Sequence, residues 1–251
     1  MLEVWGPRAT PAQAAASALE EAFAWVGGRD DAHALDVLAA GDRRIARLLT
    51  ARGPLRLGRL PRVGEAVGRA VLGQLVQGLE ARRSAAQLVC ALTPEPAAGG
   101  VTPWPTPEAL GHAPEATLRR CGISRRAVRA LRAAAGEDAR LATARREGWG
   151  VLDARLRALP GIGAWTSAET RLALGDPDAV SVGDANLPGI VGHVLAGDRD
   201  CDDAGMLDLL APFAGQRGRV VRLIETSIAR GIVRPPGRRA PRAALSAHRY
   251  W

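Results

Sequence analysis

Apolar side chains recur along this 251-residue chain at three- and four-residue intervals, the period of a helix that buries one face. The first run covers residues 11–26, with Leu19, Ala22, Phe23 and Val26 on one stripe, and Gly27-Gly28 ends it. Short helices are predicted at 32–39 and 42–50, the second with Ile45, Leu48 and Leu49 together. Residues 53–61 read as an extended link. A long apolar stretch, 64–92, places Val67, Val71, Leu72 and Leu75 at helical offsets and breaks near Gln77-Gly78, so that a second helix runs over 80–91. The segment 93–107 holds five prolines and is a loop.

Beyond the loop, Thr106-Pro107-Glu108 has the pattern of a helix start, a capping hydroxyl followed by proline. Helices are predicted at 107–111 and 114–121. Ser124 then caps a basic helix over 125–135 with Val128 and Leu131 inward. Further helices are expected at 151–158, 164–174, 184–196, 205–211 and 217–230. Only Leu2-Glu3-Val4-Trp5 suggests a strand. The chain is therefore predicted to be all-α. It divides into an N-terminal helical segment (1–62) that packs with the C-terminal helices, a central unit (63–233), and a basic, proline-rich tail (234–251).

Composition narrows the chemistry. A net charge of +8 and a pI near 11.0 favour a polyanionic partner. All 34 basic residues are arginine, so no side-chain amine exists to form an imine. Cys90, Cys121 and Cys201 lie far apart without a C-x-x-C, which points to neither a zinc site nor an iron–sulfur cluster. The four histidines lack ligand-like spacing, so no catalytic metal is expected. An odd cysteine count without a signal peptide fits a reducing, cytoplasmic setting. No charge-free apolar run is long enough for a membrane span.

The informative stretch is Leu159-Pro160-Gly161-Ile162-Gly163-Ala164-Trp165-Thr166, followed by Ser181-Val182-Gly183-Asp184. Two glycines around one apolar residue, between two helices, make a tight hairpin. The amides of Gly161 and Gly163 sit where a helix N-terminus attracts an anion such as a DNA phosphate. An ordinary helix–helix turn has the same pattern. Asp184 likewise has two compatible uses, as a helix cap and as a reactive carboxylate.

With Leu72-Gly73-Gln74-Leu75-Val76 upstream, these motifs resemble the helix-hairpin-helix (HhH-GPD) DNA glycosylases, specifically the alkylation-repair branch typified by 3-methyladenine DNA glycosylase II. The resemblance covers roughly residues 30–230. It implies two helical subdomains flanking an active-site cleft, with the β-rich N-terminal domain of that branch largely absent. It implies that Asp184 is the catalytic carboxylate, and that Trp165 stands where lyase-competent relatives carry a nucleophilic lysine. A monofunctional enzyme follows, one that leaves an abasic site.

The resemblance also implies a damaged, double-stranded DNA partner, a monomeric enzyme, and no cofactor beyond a monovalent cation that hairpin carbonyls can hold when DNA is bound. Trp165 is then either an aromatic wall for an extruded base or a core anchor. Glu169, on the same helical face, is either a reader of cationic bases or a solvated carboxylate; the type enzyme has tyrosine there. Leu75 is a DNA wedge or a core leucine, with Gln74 or Gln77 beside the orphaned base. Thr166 accompanies the hairpin glycines at the DNA. Arg125 and Arg126, with Arg129 and Arg132, form a basic face that contacts phosphate or solvent. The expected activity is hydrolysis of the N-glycosidic bond of an alkylated purine. A non-catalytic DNA-binding module and a glycosylase for an oxidised or deaminated base are the alternatives.

Overall fold

The computed structural model describes residues 12–93 and 102–236. Within them are fourteen α-helices and no strand. They are α1 (Ala12–Trp25), α2 (Asp36–Ala39), α3 (Arg43–Arg52), α4 (Val63–Leu72), α5 (Gly78–Leu92), α6 (Pro107–His112), α7 (Glu115–Arg120), α8 (Arg125–Gly136), α9 (Asp138–Glu147), α10 (Trp149–Arg157), α11 (Ala164–Ala173), α12 (Leu187–Ala196), α13 (Asp203–Leu210) and α14 (Arg217–Ala229). The short strand expected at Leu2–Trp5 and most of the basic tail lie outside the described residues. No helix among those described is long and apolar enough to cross a membrane.

Local chemistry explains many of the helix starts. Asp42 accepts the N–H groups of Arg44 and Ile45 ahead of α3. Thr106, Ser124 and Asp202 do the same for Ala109, Ala127 and Gly205, satisfying donors that a first helical turn leaves unpaired.

Three expectations need correction. First, α9 has no counterpart in the sequence reading: only Leu141 and Ala144 are buried in it, too few to make a periodic stripe. Second, the apolar residues Leu19, Phe23 and Val26 of the α1 segment are exposed, and α1 buries only Ala24. Third, α12 begins at Leu187 rather than at Asp184. The Asp184 carboxylate takes the Asn186 and Leu187 N–H groups, so the chain makes a turn first.

The helices build two apolar cores. One joins α4–α10 through Val67, Leu88, Trp104, Leu131 and Leu152, and takes in Ile162 of the hairpin. The other joins α2 and α3 to α12–α14 through Leu35, Ile45, Val191, Met206, Phe213 and Leu223, so sequence-distant ends share one core. A small cluster of Ala168, Leu172 and Ala179 lies at α11. Residues 53–62 and 174–186 carry the chain between the cores. The first crossing is pinned where Leu60 N–H meets the Ala173 carbonyl, 2.8 Å away. Buried Arg219 of α14 grips both carboxylate oxygens of Asp30, at 2.6 and 2.7 Å, and the Leu55 carbonyl at 2.7 Å.

Candidate active site

The hairpin joins α10 to α11. Gly161 has φ +83°, and a Cβ there would stand 3.2 Å from the Ala130 Cβ of α8. Both conformation and proximity demand glycine. Gly163 differs: its backbone is extended (φ −101°, ψ −171°), and nothing lies within 4 Å of a Cβ built on it. Its missing side chain leaves open surface at the α11 N-terminus. The same packing against α8 sets Arg126 beside the hairpin, while Arg125 reaches towards Glu115 at 3.7 Å.

The turn after α4 carries Leu75, the one non-glycine residue with positive φ (+58°) among those described. Its side chain is 72% exposed, which removes the core use that its helical offset allowed. Gln74 is committed inward. Its Nε2 donates to the Gly161 carbonyl and to Thr166 Oγ1, each at 2.8 Å. Thr166 is thereby buried under the hairpin, whereas Gln77 is exposed and its N–H donates to the Glu80 carboxylate. Leu75 thus projects from a turn stapled to the hairpin.

Asp184 follows Gly183, whose φ of +87° and N–H contacts to both Asp203 carboxylate oxygens (3.1 Å) fix the turn. Asp184 Oδ1 accepts from the Asn186 and Leu187 N–H groups at 2.8 and 2.9 Å, and Oδ2 accepts from Trp165 Nε1 at 3.0 Å. Three donors from two directions hold this carboxylate in one orientation. The far edge of the Trp165 ring lies over Gly73, 3.2 Å from where a Cβ would be. One indole therefore touches the Leu75 turn and the carboxylate at once, a use beyond the wall or anchor read from sequence.

Glu169, one turn along α11 from Trp165, accepts from Ser181 Oγ at 2.5 Å and from Arg222 Nη2 at 3.2 Å. The other arm of Arg222 donates to Glu225 at 2.8 Å. Sequence reasoning missed Arg222 and Glu225, because two charges three residues apart on α14 look like a solvated helix face. Burial pushes the Glu225 carboxyl above its usual range, opposed by Arg222 and reinforced by the charges of Glu169 and Asp184. No cluster of three or more His, Cys, Asp or Glu able to hold a metal occurs among the described residues. Two cavities of about 330 and 420 Å³ lie elsewhere, around Trp104 and around Arg29 and Arg59, and no residue of this site lines either.

No family model and no curated protein matches the chain. Solved structures do. A 3-methyladenine DNA glycosylase from Archaeoglobus fulgidus superposes with a TM-score of 0.77 at 20% identity, over 89% of this chain and 78% of that one. A DNA-3-methyladenine glycosidase from Bacillus halodurans gives 0.60 at 20% identity, over 78% and 89%. An 8-oxoguanine glycosylase/lyase from Clostridium acetobutylicum, in complex with DNA, gives 0.71 at 10% identity, over 84% and 74%. The chain has the all-α fold of the helix-hairpin-helix DNA glycosylases.

Proposed function

We propose that the chain is a monofunctional DNA glycosylase that turns an alkylated purine out of duplex DNA and hydrolyses its N-glycosidic bond. One observation carries this reading. Gln74 and Trp165 link an exposed leucine, a helix-terminal hairpin and an oriented carboxylate into a single hydrogen-bonded unit.

Each part has a task on DNA. The open α11 N-terminus at Gly163, with Arg125 and Arg126 nearby, holds backbone phosphate. Leu75 enters the gap that the extruded base leaves, offsetting a few kcal/mol of lost stacking. Asp184 then faces the sugar as positive charge develops on it. A carboxylate about 4 Å from that charge, at an effective dielectric near 20, contributes on the order of 4 kcal/mol, roughly a thousandfold in rate. The Asp184 carboxylate also accepts a proton from the attacking water. Glu169 and Glu225 paired about Arg222, with the charge of Asp184 acting on Glu225, favour a cationic, alkylated base. Glu169 acts there through its ion pair, one helical turn from Trp165.

The absence of lysine from the sequence leaves no side chain for imine-mediated strand cleavage. The hairpin's donor set of backbone carbonyls suits a monovalent cation: the Gly161 and Gly163 oxygens each accept one hydrogen bond, from Gln74 and from Ser167 N–H, and keep a second lone pair. Such a cation screens the nearby phosphate. The enzyme works as a monomer on double-stranded DNA.

The test is release of free base from duplexes carrying alkylated purines. Wild type releases base and leaves strands intact until alkali is added. Asp184→Asn keeps DNA affinity and loses roughly a thousandfold in rate. Binding without base release from any lesion overturns the enzymatic reading, and spontaneous strand scission overturns the monofunctional one.

A further inference from the structure

The carboxyl groups of this site are unequally supported. Asp184 accepts three N–H donors, and Glu169 accepts a hydroxyl and a guanidinium. Among the described residues Glu225 accepts from Arg222 alone, through one oxygen. Its side chain is 35% exposed, so it is neither sealed in the core nor free in solvent. Glu169 and Glu225 share one guanidinium, and the charge of Asp184 also acts on Glu225, so the like-charge repulsion is relieved when one of the three carries a proton. The least supported carboxyl takes it.

We infer that Glu225 is the proton donor to the departing base, which extends the site from cationic purines to neutral ones. The inference rests on the glycosylase reading above. A cationic alkylated purine leaves as a neutral molecule when the bond to the sugar breaks. A neutral purine leaves as an anion unless a ring nitrogen is protonated first. In the step inferred here the Glu225 carboxyl gives its proton to a ring nitrogen of the base. The C1′–N9 electron pair then goes to the base, which departs neutral. Water adds at C1′ and loses a proton to Asp184, and Glu225 regains its proton from solvent. Asp184 and Glu225 thereby take the opposed roles of a carboxyl pair held in unlike surroundings.

The charges acting on Glu225 support the assignment. Burial raises its affinity for a proton, Glu169 of α11 and Asp184 of the 181–186 turn raise it further, and Arg222 opposes them. Of the elements packed on α14, α3 sends Arg52 to the neighbouring Thr226 hydroxyl, 2.9 Å away. The titratable residue of α12 is His193, and the 211–213 turn has none.

The experiment measures single-turnover base release between about pH 5 and pH 9 from two duplexes, one carrying cationic N7-methylguanine and one carrying neutral hypoxanthine. Wild type is expected to release both. Its rate on hypoxanthine declines as pH rises through the Glu225 titration, a limb absent on N7-methylguanine. Glu225→Gln, which can still accept from Arg222, is expected to lose roughly 10²–10⁴-fold on hypoxanthine, and at least about tenfold more than it loses on N7-methylguanine. Equal losses on the two lesions overturn the inference. So do matching wild-type pH profiles, a readout that needs no variant. Release of N7-methylguanine but not hypoxanthine overturns it while leaving the glycosylase reading intact, and release of neither defeats that reading itself.

Discussion

Leu75 gives a prediction in which stability and activity move in opposite directions. A non-glycine residue at φ +58° carries about 1–2 kcal/mol of left-handed strain. With 72% of its surface exposed, Leu75 recovers little of that by burial. Leu75→Gly removes the strain and adds about 0.5–1 kcal/mol of unfolded-chain entropy, for a net change between zero and about 1.5 kcal/mol stabilising. In a domain of this size that is a melting temperature unchanged or raised by up to roughly 6 °C. On DNA the account reverses. Fully burying a leucine is worth about 1.5–3 kcal/mol, so burying the exposed three quarters contributes roughly 1–2 kcal/mol to holding the gap open. Leu75→Gly should then lose about five- to thirtyfold in kcat/KM. Calorimetry with base-release kinetics measures both, and the fluorescence of a 2-aminopurine placed beside the lesion reports unstacking directly. A melting temperature lowered by more than about 5 °C with excision unchanged would show that Leu75 is a packing residue.

Two further outcomes follow from named contacts. Trp165→Phe keeps a ring over Gly73 and removes the Nε1–H that orients Asp184. One hydrogen bond to a charged group is worth about 1.5–3 kcal/mol, so the single-turnover rate should fall roughly ten- to a hundredfold with DNA affinity preserved; an unchanged rate refutes the orienting role. Asp30→Asn strands the Arg219 guanidinium, which is 3% exposed against 14% for its partner, and should cost about 3–5 kcal/mol of stability in urea. Burial works against the Asp30 carboxylate, but the Arg219 hydrogen bonds and the Leu57 N–H hold it below its usual range. Its stabilisation is therefore complete above the unfolded value near about pH 4 and is lost as pH falls through the lower folded value. The variant should show a shallower acid decline than wild type, and parallel declines refute the linkage.

What the sequence revealed depended on how local each signal was. Ile45 and Leu48 in α3, and Val128 and Leu131 in α8, repeat on faces that are buried, and their caps stand beside them. Gly161, Gly183 and Asp184 were legible because turn geometry and motif spacing coincide. Helix α9 was hidden because most of its surface meets solvent. Leu75 was ambiguous because an apolar residue at a helical offset reads alike whether it faces core or surface, and its 72% exposure decided against the core. The Trp165–Asp184 bond and the Arg222 bridge join positions nineteen and fifty-three residues apart. No local pattern encodes such pairs; they exist only once two cores are docked.

That docking has a thermodynamic corollary. Gln74, Leu75 and the hairpin belong to the helices of one core, and Arg222 and Glu225 to those of the other, with Asp184 on the turn that leads into α12. A ligand that touches both sides binds only the docked arrangement and stabilises it by RT ln(1 + [L]/Kd). Under the proposed function, damaged duplex is such a ligand, entering at the hairpin and ending at Asp184. On that reading the substrate acts as a reversible brace across the seam, and the lesion helps to hold together the site proposed to remove it.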